Sequence, residues 1–207
     1  TSPSVVDGSR GPRRATRGER AKNRERDSGS MSLALGSAAI DFNLPGVDGK
    51  THRLADFQDK PILAVTFWCN HCPYVQAWEQ RVIDIQKEYA AKGVQVVAIN
   101  SNETVNYPTD DFPHMVERAR AKGYPFPYLR DESQDIARKF GAARTPEFFV
   151  FDKDRVLRYH GAPDDNHESP ARVTRTYLRD ALDAILTGKE PALPESPPRG
   201  CSVKWAK

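Results

Sequence analysis

Apolar and polar positions alternate in two distinct rhythms along this chain, and the switch between them marks its centre. Ile62 to Phe67 carries no charge and is rich in β-branched and aromatic residues, so it reads as a strand buried on both faces. From Pro73 the rhythm becomes helical: Val75, Trp78, Val82, Ile85 and Tyr89 recur at steps of three and four, predicting a helix from Pro73 to Lys92 stopped by Gly93. Val94 to Ile99 is the next strand, joined in parallel through that helix as a right-handed βαβ unit. Helices are expected over Asp111 to Lys122 and Ser133 to Phe140, the second capped by Ser133 and ended by Gly141. Glu147 to Phe151 and Val156 to Tyr159 flank Asp152 to Arg155, a hairpin turn. Ser169-Pro170 is expected to cap a last helix carrying Val173, Tyr177, Leu178, Ala181, Ile185 and Leu186 and ending at Gly188. Glu190 to Gly200 is proline-rich and extended.

Composition narrows the class. The 207 residues, 38% of them hydrophobic, suffice for one core, and no apolar stretch approaches the roughly 18 to 20 residues of a membrane span. No membrane partner is expected. Residues 1–30 hold eight Arg or Lys against four acids and have no apolar run beyond Val5-Val6, so disorder is expected there. Beyond them stand 23 basic and 24 acidic residues, and a near-neutral body gives no support for nucleic-acid binding. With Met31 directly following, residues 1–30 read as upstream sequence, a leader or a processed extension. They contain no secretory apolar core. The expected domains are therefore a basic segment over 1–30, a folded domain over 31–188 and an extended arm over 189–207. Three cysteines are too few for a disulfide-stapled fold, which makes the cytoplasm the default location.

Two of those cysteines make the chemistry. Cys69-Asn70-His71-Cys72 lies between the buried strand and the helix opened by Pro73, where unpaired N–H groups and the helix dipole stabilise a thiolate. A structural zinc site needs four ligands, and no second C-x-x-C or histidine pair follows, so neither metal nor cofactor is expected. His71 either raises the thiolate fraction or is a solvated turn residue. Cys201, on what reads as a flexible arm, is either a resolving thiol or an exposed spectator beside Trp205. Asp110-Asp111 and Asp164-Asp165 read as solvated loops.

Phe67-Trp68 before the thiol turn, the helix behind it and Thr145-Pro146 before the strand Glu147 to Phe151 resemble the thioredoxin fold, in which a cis-proline faces the thiol pair. Gly36 to Pro45 with Asp48 to Asp56 resembles the opening of the alkyl hydroperoxide reductase and thiol-specific antioxidant branch. Cys-Asn-His-Cys-Pro-Tyr-Val and Gly-Cys-Ser-Val-Lys-Trp are similar to its peroxiredoxin-like members. The resemblance implies an α/β, thioredoxin-like fold, with a central mixed β-sheet flanked by helices on both faces and an N-terminal β-hairpin extension. Where thioredoxins carry a buried proton-accepting Asp before Phe-Trp, this chain has Thr66.

Counting from Phe67-Trp68 places the attacking thiol at Cys72 with Cys69 as its resolving partner. The other register makes Cys69 the attacker and gives His71 the place of the histidine in oxidant-type motifs. The peroxiredoxin pattern Pro-x-x-x-Thr-x-x-Cys is met only in part: with Cys69 as attacker, Thr66 fits and Ile62 stands for Pro, while Arg144 lies near the expected Arg. The activity implied is thiol–disulfide exchange, with a protein disulfide or a peroxide as substrate and an external thiol as reductant. Its alternatives are thiol peroxidase chemistry through a sulfenic acid and a non-catalytic redox-sensing or metal-binding module.

Overall fold

The computed structural model describes residues 31–207, so the expectation for residues 1–30 lies outside the described residues. Strands β1 (Asn43–Pro45) and β2 (Thr51–Arg53) pair antiparallel, forming the expected hairpin extension. β3 (Ile62–Phe67) is buried at every position and leads through α1 (Pro73–Tyr89) to β4 (Val94–Asn100), which pairs with β3 in parallel. A single 3-10 turn over Ala90–Lys92 follows α1, and Gly93, at φ 88°, closes it in a left-handed conformation that glycine adopts without strain.

β5 (Tyr128–Arg130), which carries no clear sequence signal, extends the sheet in parallel beside β4. β7 (Glu147–Phe151) and β8 (Leu157–Gly161) add the antiparallel side, so the mixed sheet runs β5-β4-β3-β7-β8. Alternate residues of β3 serve opposite cores because side chains along a strand point to opposite faces. Ile62 and Ala64 pack with Val75, Val82, Ile85 and Tyr89 of α1 and with Leu178 and Leu182. Leu63, Val65 and Phe67 pack with Phe149, Phe151, Ile136 and Phe140 and with Phe42 and Leu44 near the hairpin. Helices thus cover both faces.

Two helices begin elsewhere than expected. α3 (Asp135–Phe140) is capped not by Ser133 but by Gln134 in a left-handed conformation, and Ser133 Oγ instead accepts from the Asp135 N–H. The last helix, α4 (Tyr177–Leu186), starts well after Ser169-Pro170, which opens only the 3-10 turn Pro170–Arg172. Asp165 holds the intervening chain extended by accepting from the Thr174 N–H, while its own N–H binds Arg175 O. Hydrogen bonding to the loop overrides the local helix signal there. α2 (Phe112–Lys122) begins as read, with Asp111 accepting from the His114 N–H as its cap.

Residues 32–207 form one compact unit, and the expected arm is part of it. Its last strand, β9 (Cys201–Ser202), pairs antiparallel with β6 (Arg144–Thr145), a two-stranded sheet beside the main one.

Candidate active site

Pro73 is the first residue of α1 and Cys72 its N-cap, so the Cys72 sulfur sits at the end of the helix where N–H groups lack intrahelical partners. Across from it the Thr145-Pro146 peptide is cis. Thr145 touches both thiols of the motif: its Oγ1 lies 3.4 Å from Cys69 Sγ, and its carbonyl oxygen accepts from Cys72 Sγ at 3.3 Å when that thiol is protonated. In register with Thr145 on β9 stands Cys201. All three cysteines are free thiols; Cys69 and Cys72 are fully buried, and Cys201 is half-buried.

Their environments drive the three thiols apart. The neighbouring Cys69 thiol is the largest influence holding the Cys72 sulfur down to about 4; the Cys201 thiol and the N–H groups of Val75 and Cys201 act in the same direction, against the opposing effect of burial. Burial pushes Cys69 well up, and its hydrogen bond to Cys72 and the negative charge of Asp110 push in the same direction. Burial and the neighbouring Cys72 raise Cys201 to about 11, with the Tyr74 N–H opposing them. One thiolate is thus held between two protonated thiols.

Asp110 is the functional candidate that the sequence concealed. It is not in a solvated loop but fully buried, because the 3-10 turn Pro108–Asp110 folds onto the thiol turn. Its Oδ1 accepts from the Asn70 N–H at 2.7 Å, and its Oδ2 accepts from His71 Nδ1 at 2.5 Å and Asn102 Nδ2 at 2.9 Å. Asn70 is further fixed by Tyr128, whose hydroxyl donates to its Oδ1 at 2.7 Å. The His71 ring, stacked on Tyr107 at 5.2 Å, is therefore no free turn residue. Asp164 is also buried and receives Trp78 Nε1 and Arg81 Nη1, whereas Asp111 and Asp165 are half-buried acceptors of local N–H groups. Only the turn-forming Pro108 marks the Asp110 segment locally, and nothing in the sequence indicates what it packs against.

Ligand atoms of Cys69, His71 and Asp110 lie within 4.8 Å of one another. Both Asp110 oxygens and His71 Nδ1 are already engaged in hydrogen bonds, so this trio is a positioning network in the state described. The two residues expected to assist peroxide chemistry are directed elsewhere. Thr66 Oγ1 donates to Phe67 O at 3.4 Å, and Arg144 Nη1 donates to Gly200 O at 3.1 Å.

A mixed sheet with a thiol turn at the head of a buried helix and a cis-proline opposite defines a thioredoxin-fold protein. The chain belongs to the AhpC/TSA family, whose model matches residues 35–160. A hypothetical protein from Sinorhizobium meliloti 1021 has a similar structure, with 41% identity and a TM-score of 0.80, covering 85% of this chain and 97% of that one. Thiol-disulfide oxidoreductase ResA of Geobacillus thermodenitrificans is 28% identical over 61% of this chain and 68% of its own length. At the level of fold alone, the thioredoxin domain of a Bacteroides vulgatus thiol-disulfide oxidoreductase matches with 16% identity and a TM-score of 0.52, over 61% of this chain and 86% of that one. Relatives of this chain carry the names of both thiol-disulfide oxidoreductases and a peroxiredoxin. No helix among the described residues is long and apolar enough to cross a membrane.

Proposed function

We propose that this protein exchanges disulfides through Cys72 as attacking thiol and Cys69 as resolving thiol. The observation that carries the reading is the place of Cys72 as N-cap of α1, with its sulfur among the helix's unpaired N–H groups and held down to about 4, which favours its thiolate at neutral pH. The thiolate attacks one sulfur of a disulfide RS–SR, forming Cys72–S–SR and releasing RS⁻. Cys69 then gives up its proton, attacks Cys72 Sγ and releases the second RS⁻, leaving a Cys69–Cys72 disulfide. The order is built into the electrostatics. While Cys72 is a thiolate, its charge and hydrogen bond hold the Cys69 proton in place, and capture of Cys72 in a mixed disulfide removes both effects. With Thr66 bonded to a backbone carbonyl and Arg144 to the arm, the peroxidase alternative lacks its assisting groups in this state.

Cys201 supplies a second thiol within reach of Cys72, which changes what a trapping experiment shows. Cys69→Ser alone is expected to finish as a Cys72–Cys201 disulfide. Cys69→Ser combined with Cys201→Ser accumulates a stable mixed disulfide on Cys72, read by intact mass and peptide mapping after mixing with a model disulfide. Trapping through Cys69 in Cys72→Ser, with none through Cys72 in the double variant, reverses the assignment. The same mixing with hydrogen peroxide in place of the disulfide tests the peroxidase alternative by the rate of thiol loss.

A further inference from the structure

The strand that carries Cys201 lies across the thiol site, fastened on both sides. Upstream, His160 N–H donates to Pro194 O and Ser196 N–H to His160 O, while Ser196 Oγ accepts from the Ala162 N–H. Downstream, Val203 is buried and its N–H donates to Ala143 O. Lys204 N–H donates to Asn102 Oδ1, and Gln134 Nε2 donates to Lys204 O. Between these anchors Gly200 packs so tightly against β6 that a Cβ there would sit 2.6 Å from Thr145 O, at a φ of 154°. The next residue pairs with Thr145, which touches both Cys69 and Cys72, and beneath it Cys72 has no exposed surface.

An extended polypeptide presenting a disulfide to Cys72 would need that same edge of β6, because backbone pairing with a free strand edge is how extended chains dock. Here the edge is taken by the chain's own Cys201-Ser202. We infer that the Cys201 strand occupies the polypeptide-binding edge of the site, so that the protein in this state exchanges with low-molecular-weight disulfides and excludes polypeptide disulfides until the strand is displaced. This rests on the thiol-exchange reading above. A small disulfide needs only a local opening beside Cys201, whereas a polypeptide must replace the whole β9 pairing, and a larger opening is rarer. The chemistry balances in the closed state. Cys72–S⁻ and RS–SR give Cys72–S–SR and RS⁻, then a neighbouring thiol attacks Cys72 Sγ, its proton passing to a released thiolate. One protein thiolate and one thiol are oxidised to a disulfide, and RS–SR is reduced to RSH and RS⁻, the latter taking its proton from water.

The test uses the full chain with Gly200→Val, which places a side chain against the Thr145 carbonyl, and separately Val203→Pro, which removes the N–H that Val203 donates to Ala143 O without crowding Thr145. Circular dichroism confirms that each variant is folded. Reduced wild type and variants are mixed with 2-hydroxyethyl disulfide or with insulin, and thiol consumption is followed over a single turnover. The expected result is a rise of about tenfold or more in the insulin rate for both variants, with the small-disulfide rate changing by less than about threefold. An insulin rate that neither variant changes, beside a normal small-disulfide reaction, overturns the inference alone. If neither wild type nor variants react with either disulfide faster than a free thiol does, the exchange reading falls and takes this inference with it.

Discussion

Iodoacetamide is expected to alkylate Cys72 of the reduced protein at nearly the same rate at pH 5 as at pH 7, whereas an ordinary cysteine slows by about a hundredfold over that interval. The donors around Cys72 depress its pKa to about 4, so the thiolate is fully formed above that value and is lost only as the pH falls through it. In the unfolded chain the thiol titrates near its ordinary value of about 8.5. The stabilisation of the reduced fold by this thiolate is therefore complete above the unfolded value and disappears as the pH drops through the folded one. Cys72→Ser should restore an ordinary, steeply falling profile in the remaining thiols and abolish intramolecular disulfide formation. Cys69→Ala should move the Cys72 midpoint upward, since the Cys69 thiol is the largest single contributor to the depression. Site-resolved alkylation by mass spectrometry checks all three, and a Cys72 rate that collapses between pH 7 and pH 5 refutes the stabilised thiolate.

Asp110→Ala is expected to lower stability by about 3 to 5 kcal/mol, because it removes the acceptor of three donors in a fully buried position. For a domain of this size that corresponds to a fall of about 6 °C or more in Tm. The Asn70 N–H and Asn102 amide would be left buried without their partner, and water does not readily reach them. The thiol turn should loosen at the same time, since Asn70 and His71 are both tied to this carboxylate. Removing the negative charge also lowers the Cys69 pKa, as Asp110 is one of the groups that raises it. Thermal unfolding followed by circular dichroism measures the first effect, and the pH dependence of Cys69 alkylation the second. A Tm within about 2 °C of wild type would show that solvent or a rearranged turn satisfies those donors.

Much of the frame was legible because its determinants are local. The uncharged, β-branched-rich run Ile62 to Phe67 and the three-four spacing from Val75 to Tyr89 encode a buried strand and an amphipathic helix, and both stand where they were read. Pro73 likewise marks the helix start, which puts Cys72 at the cap before any tertiary contact is considered. Local signals failed where a distant partner competes for the backbone. Asp165 draws the chain before Tyr177 out of the helix that Ser169-Pro170 seemed to begin, and Tyr128 to Arg130 becomes a strand only because β4 offers an edge.

The chain's order of residues by itself thus determines the strand–thiol turn–helix unit, the placement of Cys72 ahead of unpaired helix N–H groups, and an uncharged Thr66 directly before Phe67-Trp68. Tertiary structure alone decides that Cys201 lies against Cys72 and that Asp110 is buried beneath the thiol turn. The reason is physical. A cap or an amphipathic stripe depends on residues within a turn or two, but the pairing of β9 with β6 joins segments more than fifty residues apart. Only the summed packing of the intervening elements selects that pairing, and with it which sulfur carries the charge.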